Sequence, residues 1–236
     1  MKEQYVKWYS PTLSMDIEME IVGERGYPVL MFPTSFGRYY QNKDFKLIES
    51  ARWFVENGFV KFYCIDSVDQ YSWYNKKIHP ADRVKNHVWY DKMLYHELVP
   101  RMQAETGVGR VAVGGCSFGG YHATNFGFRH PDVVKYVFNM GAAFDIKSHL
   151  NGYYDDNVYF NNPMDFIPDS WNDYFRDFLV VLGVGEYDFC LDANIRLSEL
   201  LNRKGIANWL DVVEGGIHDW PAWRWMFPHY LSLLVN

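Results

Sequence analysis

The chain has 236 residues, 48% of them hydrophobic and 22% charged, a balance ordinary for a globular protein and a length that buries a sizeable core. A net charge of −6 with no run of lysine or arginine argues against nucleic acid or an anionic membrane as partner, and no apolar run approaches the roughly 20 residues of a membrane span. Cys64, Cys116 and Cys190 lack metal-ligand spacing and read as small core residues of a reducing compartment; Met1-Lys2-Glu3-Gln4-Tyr5 has no signal-peptide core, so a cytoplasmic location is expected.

Tyr5 to Tyr9 and Leu13 to Val22 alternate apolar and polar residues, as half-exposed antiparallel strands do, with Ser10-Pro11 between them. Pro28 to Phe32 is continuously apolar, the mark of a strand covered on both faces, and ends in the loop Pro33-Thr34-Ser35-Phe36-Gly37. Lys46 to Glu56 has helical spacing and is closed by Asn57-Gly58; Phe59 to Ile65 is a second buried strand. An aromatic loop, Val68 to Pro80, precedes a helical stretch from Ala81 to Glu105 in which Pro100 demands a kink or break. Arg110 to Val113 is a strand, Tyr121 to Arg129 a helix, and Val133 to Asn139 another strand.

Residues 141–176 are polar, aromatic and irregular, with Pro163 and Pro168; an insertion of that length in a compact domain is usually functional. Asp177 to Val184 is a strand, Leu191 to Lys204 a helix ended by Gly205, and Ala207 to Val213 the last strand. Trp220 to Leu234 closes the chain as an amphipathic helix interrupted by Pro228. Strands alternating with helices predict one α/β domain over 1–236, with a mostly parallel sheet of about eight strands and helices on both faces.

The run Gly114-Gly115-Cys116-Ser117-Phe118-Gly119-Gly120 joins a strand to a helix. A Gly-x-Ser-x-Gly turn in that context is the nucleophile elbow: Gly115 and Gly119 leave room for strand and helix to pass closely, and Ser117 projects above the sheet. The Phe118 amide, in the first helical turn, then points where a carbonyl oxygen would gain charge, an oxyanion hole. The competing reading is a glycine-rich turn without chemistry. No Lys-Ser/Thr follows at the offset of a phosphate loop, and Cys116 should point into the fold.

In doubly wound sheets functional groups gather at the carboxyl ends of strands. Three such ends bear Ser117, Asp188 and His218, the α/β-hydrolase order of nucleophile, acid and base. Asp188 could instead cap the helix at Leu191, and Glu186 is a rival acid. Of eight histidines, only His218 sits just after the final strand, beside glycines that permit an irregular turn; His122 should pack near the elbow. Spacings of the His-x3-His or Cys-x2-Cys kind are lacking, so neither a metal nor another cofactor is expected.

These residues resemble the esterase D-like family of α/β hydrolases, which includes S-formylglutathione hydrolases, feruloyl and enterochelin esterases and mycolyltransferases. The likeness rests on Phe32-Pro33-Thr34-Ser35, Ser72-Trp73-Tyr74-Asn75, Gly115 to Gly119, Arg129-His130-Pro131-Asp132, Gly185-Glu186-Tyr187-Asp188 and Gly216-Ile217-His218-Asp219-Trp220. Many relatives have His-Gly or Asp-Gly after the third strand, where a backbone amide completes the oxyanion hole; here the glycine is missing, and by position Ser35 should supply that amide. The resemblance implies a serine esterase cleaving small-molecule carboxylic esters through an acyl-Ser117 intermediate. An acyltransferase using the same groups, or a binding protein on the same scaffold, are the alternatives.

Aromatics make up 19% of the chain, which suggests an aromatic-lined pocket or an apolar interface and leaves a homo-oligomer open. Trp73 and Tyr74, with Tyr153, Tyr154, Tyr159 and Phe160, follow carboxyl ends of strands and are expected to wall the site.

Overall fold

The computed structural model describes residues 1–235. The alternating N-terminal stretches form β1 (Glu3–Ser10) and β2 (Met15–Val22), paired antiparallel. The apolar runs form β3 (Tyr27–Phe32), β4 (Val60–Ile65), β5 (Val111–Cys116), β6 (Val134–Met140), β7 (Leu179–Gly185) and β8 (Asn208–Val213). All eight strands join one sheet in the order β1-β2-β4-β3-β5-β6-β7-β8. β2 meets β4 antiparallel, and every pair from β4 to β8 is parallel.

Continuous apolarity in the inner strands follows from burial on both faces. In β3, Leu30 and Phe32 enter one core while Val29 and Met31, pointing the other way, enter a second. Three helical turns follow it, α1 (Gln41–Asp44), α2 (Leu47–Ser50) and α3 (Arg52–Glu56). α4 (Pro80–Met93) and α5 (Val99–Thr106) come before β5, and α6 (Phe118–Arg129) after it. The insertion holds α7 (Asp156–Tyr159) and α8 (Pro163–Phe166); α9 (Leu191–Lys204) and α10 (Trp220–Leu231) complete the chain. α4, α5, α6 and α9 supply the core with Leu30, whereas α2, α3 and α10 supply the core with Met31. Among the described residues no helix is long and apolar enough to cross a membrane.

Several elements depart from the sequence expectation for local reasons. The helix expected over Lys46–Glu56 is two pieces broken at Ala51, which lets Leu47, Ile48, Phe54 and Val55 all reach one core. The break expected at Pro100 is a five-residue π-helical turn, Leu94–Leu98. Proline has no amide for the carbonyl four residues back, and the wider turn absorbs the mismatch. α10 runs through Pro228 and gives way to a 3-10 turn at Ser232–Leu234. Residues 141–176 are organised as short capped turns, with the Asp155 carboxylate accepting the Val158 amide and the Asn162 side chain accepting that of Ile146.

Candidate active site

β5 ends in Cys116, and Ser117 takes φ +53° and ψ −121° before α6 begins. Few L residues adopt such a backbone. It is held by the Ser117 amide, which donates to the Met140 carbonyl at the end of β6 (2.9 Å). Close packing at the turn also explains Gly119: a Cβ there would stand 2.6 Å from the Pro33 carbonyl oxygen.

The loops after β7 and β8 are stitched together before they present any side chain. Glu186 donates its amide to Val213 (2.9 Å) and Tyr187 to Gly216 (2.8 Å). On that frame Asp188 and His218 meet: Nδ1 lies 2.9 and 3.0 Å from the two carboxylate oxygens. The other ring nitrogen, Nε2, is 2.9 Å from Ser117 Oγ. Since an ionised carboxylate only accepts, Nδ1 bears the proton and Nε2 is left to accept from the serine hydroxyl. Ser117 is half-buried and Asp188 buried. The His218 ring is flanked by Phe189 (centroids 4.1 Å apart) and Trp223 (5.0 Å). Gly141, at φ +61°, passes so close that a Cβ would sit 2.7 Å from Asp188 Oδ2.

The capping alternative for Asp188 is not realised: Cys190 is the N-cap of α9 and the helix has no side-chain cap hydrogen bond, while Asp188 Oδ1 accepts the Cys190 amide (2.7 Å) in the turn before it. Glu186, the rival acid, is exposed and accepts the Gly215 amide (3.0 Å), bracing the loop ahead of His218. Asp188, Cys190 and His218 bring ligand-type atoms within 4.8 Å of one another. The carboxylate and imidazole are engaged with each other, and burial with the Asp188 charge pushes the Cys190 thiol up to about 12, so it stays protonated.

Four amides belong to the loop after β3. Thr34 donates to Gln41 Oε1 (2.8 Å), Phe36 to Asp69 Oδ2 (3.2 Å) and Gly37 to the Thr34 carbonyl (2.8 Å). Among the described residues the Ser35 amide has no partner, and neither has that of Phe118.

Tyr74 lies beside these groups: its hydroxyl is 2.7 Å from Ser35 Oγ, and its ring packs on Phe36 (4.3 Å) and Phe118 (5.2 Å). Trp73 requires a correction. Wholly buried, it packs on His87 and Tyr121 beneath the surface, because its loop folds back over α4 and α6 and cannot line an open pocket. Tyr153 packs edge-on to His79 and donates to Asp155; Tyr154 is exposed and donates to Asp165. Tyr159 and Phe160 do not overhang Ser117. They line a cleft of about 330 Å³ with Phe128 and Arg129 at the far end of α6, whose twelve residues span about 18 Å.

Sequence reasoning missed Phe189 and Trp223 beside His218, and His149, which packs on Tyr74 (4.7 Å) and Phe118 (5.4 Å). Burial first, and the Lys76 charge second, lower the His149 pKa, so its ring is neutral wall at neutral pH. The adjacency of Phe189 to Asp188 was the one available signal.

No protein-family model matches the sequence, and no curated protein matches it significantly. Solved structures do. A ferulic acid esterase superposes with a TM-score of 0.76 at 18% identity, covering 99% of this chain and 97% of its own. An S-formylglutathione hydrolase from Agrobacterium tumefaciens gives 0.76 at 14%, covering 98% and 94%. A substrate-bound fluorophosphonate-binding serine hydrolase from Staphylococcus aureus gives 0.74 at 14%, covering 100% and 98%. With one eight-stranded, mostly parallel sheet and these superpositions over nearly its whole length, the chain has the α/β-hydrolase fold.

Proposed function

We propose that the protein is a serine esterase that hydrolyses carboxylic esters through an acyl-Ser117 intermediate. The observation behind this reading is the hydrogen-bonded run from Ser117 Oγ through His218 to Asp188, with 2.9 Å at each link, at a strained elbow. Similarity to structures described as esterases and serine hydrolases adds support.

Ser117 Oγ attacks the ester carbonyl carbon while its proton passes to His218 Nε2. Asp188 holds the ring in the tautomer that can accept it and stabilises the resulting imidazolium. The carbonyl oxygen, now negative, is met by the Phe118 and Ser35 amides, which have no other partner to give up. Collapse breaks the bond to the leaving oxygen, and His218 returns the proton to release the alcohol. Water then attacks the acyl-enzyme by the same route, yielding the acid and free Ser117. This chemistry calls on no cofactor.

Open surroundings, with Phe36, Phe189 and Ile217 each more than half exposed, support hydrolysis by bulk water as the first reading, with acyl transfer to an alcohol as the second. Assay against small aryl esters, with fluorophosphonate labelling of wild type and Ser117→Ala, tests the reading; it fails if the variant keeps its turnover or its label. Product analysis with added alcohols separates hydrolysis from transfer.

A further inference from the structure

Phe36 holds φ +58°, inside a turn closed by the Gly37 amide donating to the Thr34 carbonyl (2.8 Å). A positive φ at the third residue of such a turn ordinarily calls for glycine. A phenylalanine there is strained unless something holds it. The something is Asp69, a carboxylate with no exposed surface, whose Oδ2 accepts the Phe36 amide at 3.2 Å.

The other oxygen of Asp69 faces His122 Nε2 at 2.9 Å, and His122 is also buried, on α6 shortly after Ser117. An ionised carboxylate only accepts, so Nε2 bears the proton; Nδ1 is buried without a partner among the described residues. Asp69 reaches the same loop by a second route. Its carbonyl accepts the Tyr74 amide (3.1 Å), and the Tyr74 hydroxyl meets Ser35 Oγ (2.7 Å). The ring of Phe118 packs edge-on to His122 (5.1 Å). Both residues assigned to the oxyanion hole are therefore tied to one buried pair.

We propose that Asp69 and His122 are positioning residues for the oxyanion hole. The pair anchors the strained Phe36 peptide, does so in place of a glycine, and leaves the Ser35 amide free and aimed beside that of Phe118. Neither residue touches substrate. The inference rests on the esterase reading above, with Ser35 as an oxyanion donor.

The test measures hydrolysis of p-nitrophenyl acetate per active site titrated by a fluorophosphonate. Asp69→Ala removes the acceptor of the Phe36 amide. Asp69→Asn keeps one oxygen for it, His122 changing tautomer to accept from the new amide group. Removal of one oxyanion donor costs about 10²-fold in kcat. The alanine variant should approach that loss with KM within about twofold of wild type, and the asparagine variant should return to within about tenfold of wild-type kcat. Adding Phe36→Gly to Asp69→Ala should recover on the order of fivefold, because glycine holds a positive φ without an anchor.

Wild-type kcat per titrated site in Asp69→Ala overturns the inference, since a packing role would change only the amount of folded protein. Should that variant fail to fold, amide hydrogen exchange on the wild type decides. The Phe36 amide should exchange much more slowly than that of Ser35, and equal rates overturn the anchoring. Absence of Ser117-dependent turnover in the wild type would instead remove the esterase reading, and the exchange contrast would still judge the anchor.

Discussion

At Ser117 two demands meet in one residue, because the backbone is strained and the side chain is the proposed nucleophile. A non-glycine residue at φ +53° costs about 1–3 kcal/mol. Ser117→Gly should therefore abolish esterase turnover yet raise stability by about 1 kcal/mol; urea denaturation followed by tryptophan fluorescence measures it, and a destabilised variant would mean that the turn is not strained. Ser117→Ala should lower kcat by about 10⁴-fold or more with the fold intact, and Asp188→Asn, by fixing the wrong tautomer of His218, by a comparable factor. Glu186→Gln should stay within about twofold of wild type, since among the described residues its carboxylate engages only the Gly215 amide. Steady-state kinetics on one ester compares all three, and the acid is misassigned if the Asp188 and Glu186 effects are exchanged.

Between elements, energetics and legibility diverge. The loop after β4 puts Trp73 wholly inside the molecule, so Trp73→Ala should cost about 3–5 kcal/mol in chemical denaturation. The same variant should leave the dependence of kcat/KM on acyl length unchanged; a shifted optimum would return Trp73 to the pocket wall. α5 is fastened to β4 through Glu105, which accepts from Lys61 and Arg101 (2.7 and 2.8 Å) and from the Tyr63 hydroxyl (2.9 Å). Burial alone would raise its pKa, but these three donors outweigh burial and hold it at about 2. A folded-state pKa below the unfolded one means stabilisation that is complete above about pH 4.5 and lost as the pH falls toward about 2. Glu105→Gln should thus cost about 1 kcal/mol at pH 7 and nothing near pH 2, where wild type and variant should unfold at the same urea concentration. The β3 strand and the elbow could be read in advance, because apolar runs and a Gly-x-Ser-x-Gly turn are local patterns. Asp69 and His122 could not: they are separated by 53 positions and belong to no spacing rule, and the burial of Trp73 depends on where its loop folds back.

Across the whole molecule, the order of Ser117, Asp188 and His218 along the chain was legible because each follows a strand whose carboxyl end faces one edge of the sheet. The joining of those strands has a kinetic side. Asp188 and His218 are 30 positions apart, whereas Ser117 and His218 are 101 apart; closing the longer loop costs about 1 kcal/mol more in chain entropy. Local helices such as α4 and α9 can form well before such a closure, and parallel strand pairing of high contact order is slow. The β7–β8 pair is therefore expected to act as a latch, because the proposed relay of Ser117, His218 and Asp188 can assemble only once that pair docks against β6. On dilution from denaturant, far-UV circular dichroism should recover ahead of fluorophosphonate reactivity, with the interval set by that docking step. Stopped-flow dichroism beside quenched-flow labelling of Ser117 measures the interval, and reactivity that returns together with the helical signal would mean that the latch closes early.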